Sequence, residues 1–299
     1  MKLLTAEQIR KLDQLTIERE PISSLDLMER AALRCVDWIW LKYPKKKFAV
    51  LAGTGNNGGD GLAIARMLSR RDSDVEVYVF GDRKSGSADF ASNLKRLEEF
   101  PEVRIYFLDE ENHLLSILPE RIIVDAIFGT GLSRKIDGWR GDVIKELNEL
   151  PNNTIAIDIP SGMFAEQWKE SSDPIIRASD TLTFQMPKLS FLFRESHRYT
   201  GRINVLNIGL DREARQSFDT PFHLTTRIDA KALVKSFHSF DHKGDHGQVQ
   251  IIAGSKGSMG AAVLSTQAAL RSGAGLVRTH VPKCGLNILQ ITCPEAMCS

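Results

Sequence analysis

Twenty residues constrain this chain more than any others: Lys47-Phe-Ala-Val-Leu-Ala-Gly-Thr-Gly-Asn-Asn-Gly-Gly-Asp-Gly-Leu-Ala-Ile-Ala-Arg66. Phe48 to Ala52 is an apolar run long enough for one buried strand and too short for a helix. Leu62 to Leu68 returns to helical spacing, with Leu62, Ala65 and Leu68 on one face. Gly53, Gly55, Gly58, Gly59 and Gly61 lie between, interleaved with Asn56, Asn57 and Asp60. A strand that turns through glycine into a helix N-terminus presents free backbone N–H groups and a positive dipole end, which suits a phosphate or another anion.

Gly53, Gly55 and Gly58 satisfy G-x-G-x-x-G, a weak signal alone. The unusual content is Asn-Asn-Gly-Gly-Asp-Gly, whose amides and carboxylate offer hard oxygen ligands. That combination points to a cation held beside a nucleotide. The plainer alternative is a tight Gly/Asn turn with φ > 0 and no ligand, but turns rarely need five glycines.

A chain of 299 residues makes one large or two smaller domains. The formal charge of +1, with well-mixed signs, argues against nucleic acid or an anionic membrane as main partner. Cys35, Cys284, Cys293 and Cys298 form no C-x-x-C pair, as expected of reduced thiols. Lys2, Glu7, Arg10 and Lys11 stand where a signal peptide needs an apolar core, and no run reaches membrane-spanning length. A soluble, cytoplasmic protein is expected.

Thr5 to Gln8 reads as a capping box, with Leu4 and Ile9 as a hydrophobic staple. The helix it starts should run to about Glu18, and Ser24 should cap a second helix to Trp40, with Leu27, Ala31, Val36 and Trp40 facing the core. Strands are then expected at 75–80, 103–108, 121–128, 154–159, 181–186 and 203–208. Helices are expected at 91–100 and 143–150, with a short helical piece at 114–118. This alternation implies parallel βαβ units covered on both faces, an α/β fold.

Ligands of such sheets gather at the carboxyl ends of the strands. Those ends carry Asn57 and Asp60, then Asp125 followed by Gly129-Thr-Gly-Leu-Ser-Arg-Lys135, then Asp158 and Ser161, then Lys188. Asp125 sits inside an apolar strand, where a bound cation or a hydrogen-bonded structural role would compensate its burial.

These residues carry a resemblance. Residues 1 to about 215 resemble the YjeF N-terminal family of NAD(P)H-hydrate epimerases, through Leu-Met-Glu-Arg-Ala at 27–31, Gly-Asn-Asn-Gly-Gly-Asp-Gly at 55–61, Val-Asp-Ala-Ile-Phe-Gly-Thr-Gly at 124–131 and Asp-Ile-Pro-Ser-Gly at 158–162. The resemblance implies a Rossmann-like, mostly parallel sheet with helices on both faces. It also implies interconversion of R and S nicotinamide hydrates at C6, a potassium site and a homodimer. By motif, Asn57, Asp125 and Ser161 would hold potassium; Asn56, Asn57, Gly58, Gly59, Asp60, Asp158 and the loop Gly129, Thr130, Gly131, Leu132, Ser133, Arg134 and Lys135 would hold substrate. Inverting a carbinol centre needs proton traffic, for which Asp158 is the best-placed acid/base. Lys188 could keep Asp158 ionised, bind phosphate, or be a surface lysine on a loop. Backbone N–H groups of Gly129 to Gly131 would suit a pyrophosphate.

From Arg227 the sequence begins again. A helix is expected at 230–237, a strand at 248–253, a helix at 261–271 and a strand at 276–281. The polar stretch Asp211 to Thr226 suits a domain boundary, drawn between residues 222 and 223. His242-Lys-Gly-Asp-His-Gly247, Gly254-Ser255 and Ala268 to Val277 resemble the opening of ADP- or ATP-dependent NAD(P)H-hydrate dehydratases, which are ribokinase-like α/β domains. Ala261 would be a nucleotide- or substrate-binding residue there. The family's later G-x-G-D loop with its aspartate is not in these residues, so an incomplete domain without dehydratase activity is expected. His238, His242 and His246 imitate metal-ligand spacing, but Gly244 interrupts any helix and a nucleotide loop is the better reading.

Two rivals remain. An NAD-dependent dehydrogenase would use G-x-G-x-x-G and Asp82, yet has no need of Asp125 and Asp158 at those strand ends. A non-catalytic binding module would have no need of Asn57, Asp125, Asp158 and Ser161 together.

Overall fold

The computed structural model describes residues 1–84, 86–167, 173–234 and 236–299. The chain divides into two compact units, Met1–Thr225 and Thr226–Ser299.

The first unit opens with α1 (Ala6–Arg19), whose capping box joins Thr5 and Gln8, and α2 (Ser24–Lys42). Ser23, not Ser24, caps α2, because Asp26 three residues later closes a second capping box with it. Leu27, Ala31, Cys35 and Val36 are buried on α2, whereas Trp40 is only half-buried. Next come β1 (Lys47–Gly53), α3 (Asn56–Ser69), β2 (Val75–Phe80), α4 (Ala88–Leu97), β3 (Arg104–Leu108), β4 (Arg121–Ala126), α5 (Gly138–Glu149), β5 (Thr154–Ile157) and β6 (Asp180–Phe184). The unit closes with α6 (His197–Thr200), β7 (Arg202–Leu206) and α7 (Arg212–Ser217). Residues 114–118 form no helix, so the expected short helix there is corrected. Leu115 and Ile117 still pack on the core, so their apolar character serves a lining strap.

All seven strands are parallel, in the order β3-β2-β1-β4-β5-β6-β7. Alternation along β4 splits its side chains. Ile122, Val124 and Ala126 join the core formed with α2, α3 and α4, while Ile123 and Ile127 join the opposite core with α5. Asp125 shares the α5 side of the sheet by that same period. The strand order reverses between β1 and β4, which leaves a crevice at their carboxyl ends.

The helix after β1 starts six residues earlier than its apolar periodicity predicts. Asn56 to Gly61 form the first turns of α3 and not a loop, and none of its glycines has positive φ. Glycine serves contact here rather than turning. A Cβ at Gly58 would lie 1.6 Å from the Gly53 carbonyl oxygen, and one at Gly61 would lie 2.7 Å from Ala126 Cβ. These positions let α3 press onto β1 and β4.

The second unit contains α8 (Arg227–Leu233), β8 (Gln248–Ile252), α9 (Gly260–Arg271), β9 (Leu276–His280), α10 (Leu286–Thr292) and β10 (Met297–Cys298). Thr226 and Asp229 form a capping box, so α8 begins three residues before the expected helix; residue 235, inside that expectation, lies outside the described residues. The strands make a parallel sheet in the order β10-β9-β8, the start of a βαβ arrangement. Met259, Ala262, Val277, Val281 and Leu289 pack together beneath α9, and Leu264 on the same helix is 69% exposed.

Candidate functional site

At the crevice between β1 and β4 lies a cavity of about 700 Å³, within the usual range for a cofactor or nucleotide site. Asn56, Asn57 and Asp60 of α3, the segment Gly129 to Lys135 after β4, Asp158 after β5 and Lys188 after β6 all line it. α1 adds Ile9, Arg10 and Asp13. The α3 N-terminus has no side-chain cap, so its first-turn N–H groups remain open toward the crevice.

Behind the Asn57 wall of the cavity lies an oxygen cradle. Asp125 is completely buried, and Ser161 donates to it twice, from N–H to Oδ2 at 2.8 Å and from Oγ to Oδ1 at 2.5 Å. Ile127 N–H donates to Oδ1 at 3.3 Å, and Phe128 N–H donates to Ser161 Oγ at 2.9 Å. Burial pushes the Asp125 carboxyl up to about 6, against the pull of those donors. Asn57 is 8% exposed, yet both its Oδ1 and Nδ2 are buried without a hydrogen-bond partner. Gly129 packs against it, since a Cβ there would lie 3.0 Å from Asn57 Cβ. A buried amide with nothing to bind fits a missing ligand.

The cavity lining also holds charge. Lys188 Nζ lies 2.7 Å from Asp158 Oδ1, and Lys188 is 2% exposed. The alternative of a surface lysine is thereby excluded. Asp158 has φ 65°, in the left-handed region that Asp tolerates better than most residues, and its N–H donates to Leu182 O at 2.7 Å. Two further carboxyls face this pair. Loss of hydration raises the Asp60 carboxyl well above its usual range, with the charges of Asp158, Asp13 and Asp89 adding to the effect. Burial likewise raises Asp13 to about 7, helped by Asp158 and opposed by Lys188.

Arg134, Lys135, Asp137 and Arg140 line the cavity's rim, with Lys135 paired to Asp173. Gly58 and Gly59 are not in the lining; they pack against Gly53 and Met28. Asp125 and Ser161 stand behind the cavity wall rather than on it. Ala261 is the exposed second residue of α9, in the other unit. Asp13 escapes sequence reasoning because a lone aspartate in an amphipathic helix reads as a solvated face; its only signal is i, i+4 spacing from Ile9.

Residues 24–190 match the profile of the YjeF-related protein N-terminus. The chain belongs to this family. Residues 249–299 match the profile described as NAD(P)H-hydrate dehydratase. A bifunctional NAD(P)H-hydrate repair enzyme Nnr of Moorella thermoacetica is 34% identical over 99% of this chain and 57% of its own length. An NAD(P)H-hydrate epimerase of Oenococcus oeni is 32% identical over 69% of this chain and 96% of its own length. The chain spans little more than half the length of the bifunctional relatives. Yeast ynu0, known from a crystal structure, has a similar fold, with a TM-score of 0.61 at 23% identity, covering 76% of this chain and 98% of that one.

Among the described residues no helix is long and apolar enough to cross a membrane, and no group of three or more His, Cys, Asp or Glu side chains is placed to hold a metal ion. The His242 and His246 rings instead pair with Asp245 and Asp241. All four cysteines are free thiols.

Proposed function

We propose that residues 1–222 interconvert the R and S hydrates of NADH or NADPH at C6, and that residues 223–299 are the N-terminal part of a dehydratase domain. One observation carries the first assignment: a buried Asp158–Lys188 pair and an orphaned Asn57 amide face one nucleotide-sized cavity at the strand-order reversal. Relatives of nearly this unit's length, named NAD(P)H-hydrate epimerase, support it.

In this reading Asn56, Asn57, Asp60 and Gly129 to Lys135 hold the substrate. The open N–H groups of α3 and of the Gly129–Gly131 turn face its pyrophosphate, with Arg134 adding positive charge. Asp158 exchanges a proton at the carbinol centre, and Lys188 keeps it ionised in a site poor in water.

The cradle's donors are all oxygens and carry one carboxylate, which suits a large monovalent cation such as potassium. Asn57, Asp125 and Ser161 would hold it. When bound, the ion supplies fixed positive charge beside the nucleotide. ADP or ATP would be a ligand only of a complete dehydratase domain, with Ala261 near it. The free thiols support a reducing, cytoplasmic setting. A homodimer belongs to the same proposal and is read out by sedimentation.

Incubation with the pure S hydrate of NADH in potassium buffer tests the reading. Appearance of the R form well above the spontaneous rate is expected; a rate equal to the spontaneous one would exclude it.

A further inference from the structure

The proposed acid/base pair leaves two carboxyls of the same cavity unused. Asp13 stands on α1, on the cavity side with Ile9 and Arg10, while Leu12 and Thr16 on that helix are buried elsewhere in the core. It takes no part in the Thr5–Gln8 cap. Among the described residues it has neither a hydrogen bond nor an ion pair. A carboxyl held in a half-buried place without a partner contributes nothing to stability and needs another reason to be there. The orphaned Asn57 amide on the same cavity indicates that a ligand fills the space these groups face.

We propose that Asp13 is the second proton-carrying group of the site, serving the face of the reacting carbon opposite to Asp158. This rests on the epimerase reading.

Epimerisation by loss and return of water needs an acid on one face and a base on the other. In the S to R direction the C6–O bond breaks with its electron pair going to oxygen. That oxygen takes the proton of the Asp13 carboxyl and leaves as water. The ring nitrogen's lone pair forms the C6=N1 double bond of an iminium ion. Water then adds to the opposite face, its oxygen supplying both electrons of the new bond. The π pair returns to nitrogen, and the surplus proton passes to the Asp158 carboxylate. The R to S direction runs the same steps backward, so each carboxyl is acid in one direction and base in the other. A proton returned from Asp158 to Asp13 through cavity water resets the site.

The charge arrangement favours this division. Lys188 ion-pairs with Asp158 and so sets positive charge beside that carboxyl. Asp13 then faces Asp158 and Asp60 as like charges and Lys188 as the one opposing cation, with Arg10 on its own helix. Arg134, Lys135, Asp137 and Arg140 stand at the rim. In that field Asp13 keeps its proton up to about 7, where a group exchanging protons at neutral pH works best. Burial raises the Asp60 carboxyl well above the ordinary range as well, with the charge of Asp158 adding to the effect.

The test compares wild type, Asp13→Asn and Asp13→Glu by kcat, KM and their pH profiles between pH 5 and 9, with circular dichroism to verify the fold. The wild-type rate should fall on the alkaline side of about pH 7, as the pair loses its shared proton. Asp13→Asn should lower kcat about 100-fold with KM changed little, and should lose that alkaline limb. Asp13→Glu should restore the limb even if the rate stays low. An active wild type with Asp13→Asn equally active, or with its alkaline limb intact, overturns the role of Asp13 and leaves the epimerase reading standing. If Asp13→Asn does not fold, a wild-type profile lacking the alkaline limb overturns it instead. A wild type without epimerase activity sinks both.

Discussion

Lys188 Nζ lies 2.7 Å from Asp158 Oδ1, joining the carboxyl ends of β6 and β5 across a cavity wall. Lys188 is almost wholly buried, so its charge depends on that partner. Lys188→Met removes the ammonium and leaves the Asp158 carboxylate in the cavity wall. Breaking a buried pair from one side costs about 3 kcal/mol or more. The variant should lose that stability in urea unfolding and at least about 100-fold in epimerisation. An equally stable, active variant would reduce the pair to decoration.

The oxygen cradle predicts a cation effect that changes with pH. Asp125 has its folded-state value raised to about 6, above the unfolded value of 3.8. The ion-free protein therefore binds more protons folded than unfolded between those values, and loses stability as pH rises through them. Potassium favours the ionised carboxylate, so its stabilisation should be small at pH 5 and larger at pH 8. Melting temperatures in potassium chloride and in choline chloride of equal ionic strength measure it. Asn57→Ala should abolish the difference; a potassium increment unchanged by that substitution would place the ion elsewhere.

Close approach of α3 to β1 makes its glycines unequal. Gly58→Ala would set a methyl 1.6 Å from the Gly53 carbonyl oxygen, whereas a Cβ at Gly55 meets nothing within 4 Å. Denaturant titration should show Gly58→Ala destabilised by about 3 kcal/mol and Gly55→Ala by about 1 kcal/mol or less. Equal costs would mean that α3 does not press on β1 as described.

Asp13 has a stability consequence separate from catalysis. Its raised folded value, about 7, means stability is fully present below the unfolded carboxyl value and falls as pH rises toward 7 and beyond. Asp13→Asn removes that ionisation. The variant should gain in melting temperature over wild type between pH 5 and 8, with the gain increasing with pH. A constant difference across that range would show that Asp13 is not held protonated.

Much of this architecture is written in local patterns. Apolar runs such as Ile122–Val124 and Ile155–Ile157 end in Asp125 and Asp158, so strand ends and acidic site groups were readable together. The start of α3 was not, because Gly58, Gly59 and Gly61 lower helix propensity and only tertiary contacts with Gly53, Met28 and Ala126 explain them. Residues 114–118 have helical composition but form no helix, and Leu115 and Ile117 pack against the α5 side of the core. Asp13 was hidden for a different reason. It becomes part of the site only when α1 folds beside strands more than a hundred residues later.

The central claim is that Asp158 does the chemistry in this cavity. Asparagine keeps its shape and also tolerates the left-handed backbone at φ 65°, so Asp158→Asn removes the carboxylate, and with it the charge partner of Lys188, without forcing a backbone change. The decisive measurement is conversion of pure S hydrate of NADH to the R form, by wild type and Asp158→Asn side by side in potassium buffer. The account predicts fast conversion by wild type and a rate at or near the spontaneous one for the folded variant. Wild-type speed in Asp158→Asn would contradict it.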